Sequence, residues 1–284
     1  MDKNDIFLFS SIKKQLKKDN DLNNKIRENI IYNIIKNRIP DKWYIEMIEW
    51  MEFKTKLYDI IKLLSNGFEY TKIDIELKGG RNNNYDFQLL FIDNYNINRK
   101  YIEFKYNTDK IDKYPQFLSI SANKCIKNIH YADYLIQICN LIDIDIPNKI
   151  DYLNTIYNND YSKLEFYKKL KEKEYMIIKE KKEIVSLSIK KYLNDIVELD
   201  IDYINEIFQK KQLNKEYILY HKNKFFYDNI KKEELEITSI DKIKNNNTII
   251  LNTKTNTKIG MLLRWKNHIG ILYPAWQISL IRYK

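Results

Sequence analysis

The chain has 284 residues and a formal net charge of +10 at pH 7, from 49 Lys and Arg against 39 Asp and Glu. Its 44% apolar and 14% aromatic residues exclude a disordered chain, and no apolar run reaches the ~18 residues of a membrane span. Two Cys and three His without zinc-finger spacing give no plausible structural zinc site. The sequence has no GxxxxGK[ST] or GxGxxG motif, so it gives no support for ATP-driven or dinucleotide chemistry. The charged N-terminus has no signal-peptide core, so we expect an intracellular protein, cytoplasmic or nuclear, that binds no membrane.

The N-terminal quarter of the chain predicts two helices. Apolar residues at three- and four-residue spacings indicate a helix over 5–38, and Pro40 ends it. Asp41 is the expected N-cap of a second helix over 42–65.

Alternating apolar residues then predict strands over 70–77, 85–92 and 100–106. Pro115 at a first-turn position predicts a helix over 115–129. The middle of the sheet region is therefore expected to lie between helices.

The second half of the chain changes from helix to strand. Residues 149–212 are heavily charged and predict helices, and short apolar runs from 216 onward predict strands. Lys, Asn, Ile and Tyr are abundant, as AT-rich codons produce, so the total charge carries little information. Its position is more informative: residues 242–284 contain eight Lys or Arg and no acid, which leaves only +2 for residues 1–241. This basic segment predicts contact with a polyanion such as DNA.

One pair of strands carries a pattern with chemical meaning. Asp86 lies on the second predicted strand, and Glu103 and Lys105 lie on the third, where residues two apart point to one face. Two carboxylates suit a hard cation such as Mg²⁺, and an adjacent ammonium can orient water or neutralise charge on a phosphate. The alternative is a solvated strand face, on which Glu and Lys often stand two residues apart.

This hairpin resembles the PD-(D/E)XK nuclease superfamily, with Tyr85-Asp86 in place of the Pro-Asp pair and Glu103-Phe104-Lys105 as the E-x-K half of the motif. The chain also resembles restriction-endonuclease-like proteins of large DNA viruses, which is consistent with a virus-encoded protein. That second likeness is carried by Glu76–Asp86, Glu103–Lys105, Pro115-Gln116-Phe117 and Leu263–Asn267.

The resemblance implies an α/β (α+β) fold in which helices flank a mixed, restriction-endonuclease-like sheet, with helical insertions and a small C-terminal β module. We expect an N-terminal helical segment over 1–41, a catalytic core over 42–148, a helical region over 149–215 and a basic β-rich module over 216–284. The implied activity is Mg²⁺-dependent hydrolysis of DNA to 5′-phosphate and 3′-hydroxyl ends, with Mn²⁺ as a substitute. Cleavage of both strands predicts a homodimer.

Further candidate residues follow from position. Gln116 opens the helix expected after the third strand, where similar folds often place a site Gln. Glu76 is the candidate third metal ligand, with Glu52 and Glu69 as rivals because this fold often supplies a carboxylate from its first helix. The candidate DNA contacts are Arg81, Arg264, Lys266 and Asn267.

Two other functions remain open at this stage. A non-catalytic DNA-binding module on the same fold would use the same charge distribution. A repair or recombination nuclease would act on branched or single-stranded DNA.

Overall fold

The structure is a computed structural model that describes residues 1–10, 17–79, 83–110, 118–121, 199–212, 215–244, 248–268 and 271–282. The helices expected over 149–198 lie outside the described residues, as do Arg81 and Gln116. Within the described part, no helix is long and apolar enough to cross a membrane.

The described elements are helices up to residue 64, then four strands and one helix, and mostly strands after residue 215. The helices are two 3₁₀ helices (Lys3–Phe9 and Lys232–Leu235), α1 (Lys17–Ile35), α2 (Asp41–Glu46), α3 (Ile48–Leu64) and α4 (Ile201–Gln212). The strands are β1 (Lys72–Leu77), β2 (Phe87–Ile92), β3 (Ile97–Tyr106), β4 (Leu118–Ser121), β5 (Tyr217–Lys222), β6 (Lys224–Asn229), β7 (Ile237–Lys244), β8 (Thr248–Thr253), β9 (Thr257–His268) and β10 (Ile271–Arg282).

The chain divides into two compact units, and their boundaries differ from those of the four predicted segments. The first unit comprises Met1–Tyr114 and Phe208–Lys232, and the second comprises Pro115–Ile207 and Glu233–Lys284. Among the described strands, the first unit holds a sheet in the order β1-β2-β3-β5-β6, and the second holds one in the order β4-β10-β9-β8-β7. The predicted α+β class is confirmed.

The N-terminal helices differ in detail from the prediction. The chain starts with a 3₁₀ helix instead of a continuous α-helix, and the helix predicted over 42–65 is divided at Met47, whose backbone is extended. Pro40, not Asp41, is the N-cap of α2. Asp41 is in the first turn, where a negative charge also favours the helix dipole.

The first sheet is mixed. Strands β1, β2 and β3 run antiparallel, β3 pairs parallel with β5, and β5 pairs antiparallel with β6. Helix α1 packs against β1, and α3 packs against β6. Their buried side chains form one apolar core with the strands, including Ile30, Ile34, Trp50, Leu57, Ile61, Ile75, Phe87, Phe91, Ile102, Phe104, Leu219 and Phe225.

Strands β5 and β6 were expected to open the C-terminal module, but they belong to the first sheet. The alternating pattern marked them as strands without indicating which strands they pair with, because pairing depends on distant residues.

The helix predicted over 115–129 is wrong over Leu118–Ser121. These residues form β4, which pairs antiparallel with β10 from Leu118 opposite Ile278 to Ser121 opposite Ala275. Pairing with a long strand outweighs a local helix signal, as tertiary context commonly does.

Candidate active site

Asp86 directly precedes β2, and β3 extends past this end of β2. The pairing of β2 with β3 reaches Phe87 opposite Ile102, and the Asp86 N–H donates to the Ile102 carbonyl at 2.9 Å. Continuing the same register places Asp86 opposite Glu103. The prediction that the hairpin brings these two acids side by side is therefore met in the backbone.

The Asp86 side chain is fixed by the neighbouring strand. Its Oδ2 accepts a hydrogen bond from the Phe104 N–H at 2.8 Å, beyond the last residue of the β2–β3 ladder. The Asp86 carboxylate therefore accepts a hydrogen bond from the β3 N–H of Phe104, at a point where β2 supplies no backbone carbonyl. This bond anchors Asp86 against the Glu103-Phe104-Lys105 segment.

Glu103 is at the centre of a buried cluster of charges. Its Oε1 forms an ion pair with Lys105 Nζ, and its Oε2 forms another with Lys215 Nζ. Glu103 is 8% exposed and Lys215 is 5% exposed. The alternative of a solvated strand face is therefore wrong for Glu103.

Lys215 reaches this cluster through the parallel pairing of the sheet. It precedes β5, which aligns with β3 so that Tyr217 lies opposite Ile102 and Ile218 lies opposite Glu103. The Glu216 N–H also donates to the Tyr101 carbonyl at 3.2 Å. Because β5 pairs with β3 at this point, Lys215, which directly precedes β5, lies beside Glu103.

Burial dominates the electrostatics of both lysines. The pKa of Lys105 is lowered to about 8, chiefly by burial and also by the positive charge of Lys215, against the opposing effect of Asp86 and Glu28. Burial likewise lowers the pKa of Lys215 to about 7, against the stabilising effect of Asp86. Both lysines therefore titrate far closer to neutral pH than a solvated lysine does.

Glu28 on α1, which the sequence analysis did not identify, interacts electrostatically with Asp86 and Lys105. Its pKa is raised to about 7, chiefly by burial and also by the negative charge of Asp86, against the opposing effect of Lys105 and Lys25. The expectation of an acid from the first helix was attached to Glu52 and Glu69. Both of those are exposed, and Glu52 pairs with Lys56 at 3.4 Å.

Glu76, the predicted third ligand, lies on β1 opposite Gln88. Its side chain is about half exposed and pairs with Lys78 at 2.6 Å. Across the part of the chain that the structure describes, no three His, Cys, Asp or Glu side chains form a metal-binding group. Asp86 and Glu103 supply carboxylate oxygens, the donor type that a hard cation prefers, and both Glu103 oxygens contact lysine ammonium groups in the structure.

The predicted DNA contacts in the basic segment belong to the second unit. Arg264, Lys266 and Asn267 lie on β9, opposite Ala275, Tyr273 and Leu272 of β10.

Part of the basic segment is neutralised within its own unit. Among the described side chains of the segment, Lys254, Lys258 and Arg282 form ion pairs with acids that directly precede it: Glu236 with Lys254 at 3.1 Å, Asp241 with Lys258 at 2.8 Å, and Glu234 with Arg282 at 2.7 Å. The charge available to a polyanion is therefore smaller than the sequence count.

Comparisons with known proteins assign no family. No family model matches the chain, and no solved structure matches it. An arginine–tRNA ligase from Blochmanniella floridana is 26% identical over 195 residues, which is 61% of this chain. The chain spans about a third (32%) of the length of that relative, and no activity is transferred from so partial a match.

Proposed function

We propose that the protein is a Mg²⁺-dependent DNA endonuclease, with Mn²⁺ as a substitute, that leaves 5′-phosphate and 3′-hydroxyl ends. The observation that carries this proposal is the cluster in which buried Glu103 pairs with Lys105 and Asp86 accepts a hydrogen bond from the N–H of the intervening Phe104. A largely buried cluster of charges with strongly shifted pKa values is a candidate functional site.

Each residue of the cluster has a role that follows from its chemistry. Asp86 and Glu103 supply carboxylate oxygens for the cation, which when bound polarises a phosphate and lowers the pKa of water. Lys105 orients the attacking water and neutralises negative charge that develops on the phosphate. Its pKa of about 8 allows the Nζ to hold or release a proton near neutral pH.

The partner we propose is DNA, and duplex cleavage calls for two copies of the site in a homodimer. Phosphate contacts are proposed for the basic strand β9, through Arg264, Lys266 and Asn267. Arg81 and Gln116 keep their predicted roles, as a phosphate contact and a site residue.

A second candidate function is a DNA-binding module without catalysis. The observation in its favour is that both Glu103 oxygens contact ammonium groups, which neutralises the carboxylate without a cation. Such a module binds DNA in a salt-sensitive way and cuts none, and Asp86→Ala leaves its affinity unchanged or increases it.

The deciding experiment is a cleavage assay on plasmid, linear, single-stranded and branched DNA, with Mg²⁺ or with EDTA, followed by sequencing of the ends. We expect cutting with Mg²⁺ only, and its loss in Asp86→Asn. Lys222→Met is the matched control, since Lys222 lies on β5 and its ion pair with Asp109 is exposed. DNA binding without cleavage in the wild type would support the second candidate. A preference for branched or single-stranded DNA would indicate a repair nuclease.

A further inference from the structure

Lys215 gives the cluster a second buried positive charge that the E-x-K motif does not contain. Its side chain is 3% exposed, and its ammonium contacts the Glu103 oxygen that Lys105 does not contact. Each carboxylate oxygen of Glu103 therefore has its own lysine. A cation that approaches Glu103 meets a carboxylate already neutralised on both sides.

The charges of the cluster show what this arrangement does. When both lysines are protonated and Glu28 is neutral, Asp86 and Glu103 carry two negative charges and the lysines carry two positive charges. Without a cation the four groups balance, whereas a divalent cation leaves an excess of +2 in a water-poor site. Charges interact more strongly there than in bulk water, so this excess attracts a phosphodiester.

We propose that Lys215 is a positioning residue that couples binding of the divalent cation to binding of the DNA phosphate. Lys215 repels the cation while its ammonium contacts Glu103, and a bound DNA phosphate draws that ammonium away from Glu103. The cation therefore binds weakly until DNA is present. Coupling of this kind is reciprocal, and the bound cation raises the affinity for DNA by the same factor. The inference rests on the proposed function, because it takes Glu103 as a ligand of the cation.

The test measures the two affinities separately in Lys215→Met, a neutral side chain of similar length. Binding of Mn²⁺ without DNA is followed by electron paramagnetic resonance at pH 6.5, on the protonated side of both lysines. Binding of a fluorescent DNA duplex is followed by anisotropy, with Ca²⁺ or with EDTA. We expect the variant to bind Mn²⁺ about tenfold more tightly, and the gain in DNA affinity from Ca²⁺ to fall several-fold.

Two further variants separate charge from structure. Lys215→Arg keeps the charge and is expected to retain the wild-type Mn²⁺ affinity. Lys222→Met removes a half-exposed charge from β5, the strand that Lys215 precedes, and should change neither affinity. A purely structural role of Lys215 predicts that its loss weakens Mn²⁺ binding, because a distorted site holds a cation less well.

The outcomes distinguish this inference from the proposed function. If the wild type binds Mn²⁺ and cuts DNA but Lys215→Met binds Mn²⁺ no more tightly, only the inference fails. If the wild type neither binds Mn²⁺ nor cuts DNA, the proposed function fails and the inference with it. Lys215→Gln is the second neutral variant, and a failure of both neutral variants to fold would assign Lys215 a structural role and overturn the proposal.

Discussion

Glu103 and Lys215 form an ion pair in the interior of the first unit, between β3 and the residue that leads into β5. Removing two charges from water is unfavourable, and their mutual attraction seldom compensates fully, so a buried ion pair is a poor source of stability. The third charge, on Lys105, adds repulsion between the two ammonium groups. A cluster of this composition contributes little to stability, which is consistent with the catalytic role proposed for it.

Lys105→Met is expected to reduce Mg²⁺-dependent DNA cleavage by about 100-fold or more while the protein stays folded. Glu103 keeps its ion pair with Lys215 in this variant, so the cluster is not left with an unpaired buried carboxylate. Initial rates on plasmid DNA and urea unfolding measure the two effects. Lys100→Met is the control, since Lys100 is half-buried on the same strand with its Nζ over the Tyr217 ring. Undiminished cutting by Lys105→Met would remove Lys105 from the mechanism.

Glu103→Gln is expected to lower the free energy of unfolding by about 3 kcal/mol, because it leaves two buried ammonium groups without their shared counter-ion. Chemical denaturation at pH 7 measures this change. Glu76→Gln is the matched control: its ion pair with Lys78 is about half exposed, and such pairs contribute little. Equal losses in the two variants would show that the Glu103 cluster is not desolvated.

Glu28 predicts a loss of stability as the pH rises. Its pKa in the folded protein, about 7, is above the ordinary value of 4.5, so the folded state binds the proton more tightly than the unfolded state does. The stabilisation is complete below about pH 4.5 and is lost as the pH passes 7. After allowance for partial solvent exposure it amounts to about 2 kcal/mol.

The test for Glu28 compares urea unfolding of the wild type and Glu28→Gln at pH 5 and pH 8. The wild type should lose stability relative to the variant between these values. Glu52→Gln, which changes an exposed acid on α3, should follow the wild type. A constant difference between wild type and Glu28→Gln would place Glu28 in solvent.

His221 predicts a pH dependence of the opposite sign. It lies on β5 among the rings of Phe9, Tyr106 and Phe225, and its Nδ1 has no hydrogen-bond partner in the described part of the chain. Its pKa is lowered to about 4, chiefly by burial and also by the positive charge of Arg27. The folded state therefore binds a proton less readily than the unfolded state, whose histidine has a pKa near 6.5. Stability is complete above about pH 6.5 and falls by about 3 kcal/mol as the pH approaches 4.

His221→Phe removes the titrating group and keeps a ring of similar size among the aromatic side chains. Relative to the wild type, we expect this variant to gain stability as the pH is lowered from 7 to 4. Thermal unfolding across that range measures the gain. If the two proteins lose stability in parallel, His221 is not the group responsible.

What could be predicted from sequence depended on how far apart the interacting residues lie in the chain. Asp86, Glu103 and Lys105 share one hairpin, so strand alternation and a short turn were sufficient to bring them together. Lys215 reaches the same cluster through the parallel pairing of β5, and Glu28 on α1 interacts electrostatically with Asp86 and Lys105. No local pattern encodes either relationship.

The fold follows the same rule. The α+β class is visible in the change from helical to alternating periodicity, and it is confirmed. The assignment of strands to sheets was not visible: β5 resembles the later strands in sequence but pairs with β3. The four residues Leu118–Ser121 are too few for a local sequence pattern to determine their structure, and they pair with β10 as a strand.

The basic segment provides a last prediction, on DNA affinity and its dependence on salt. Lys254 and Lys258 are paired with Glu236 and Asp241, so their charges are already compensated. If β9 contacts phosphates, Arg264→Ala with Lys266→Ala should weaken DNA binding and reduce the slope of log affinity against log salt by about 2, or about 1 for each lost phosphate contact.

The matched double variant, Lys254→Ala with Lys258→Ala, removes the same charge but should leave the slope nearly unchanged. Fluorescence anisotropy on one duplex, from low to moderate salt with Ca²⁺ present, measures both slopes. Equal slopes in the two double variants would show that β9 has no special contact with DNA and that the basic segment acts only through its net charge.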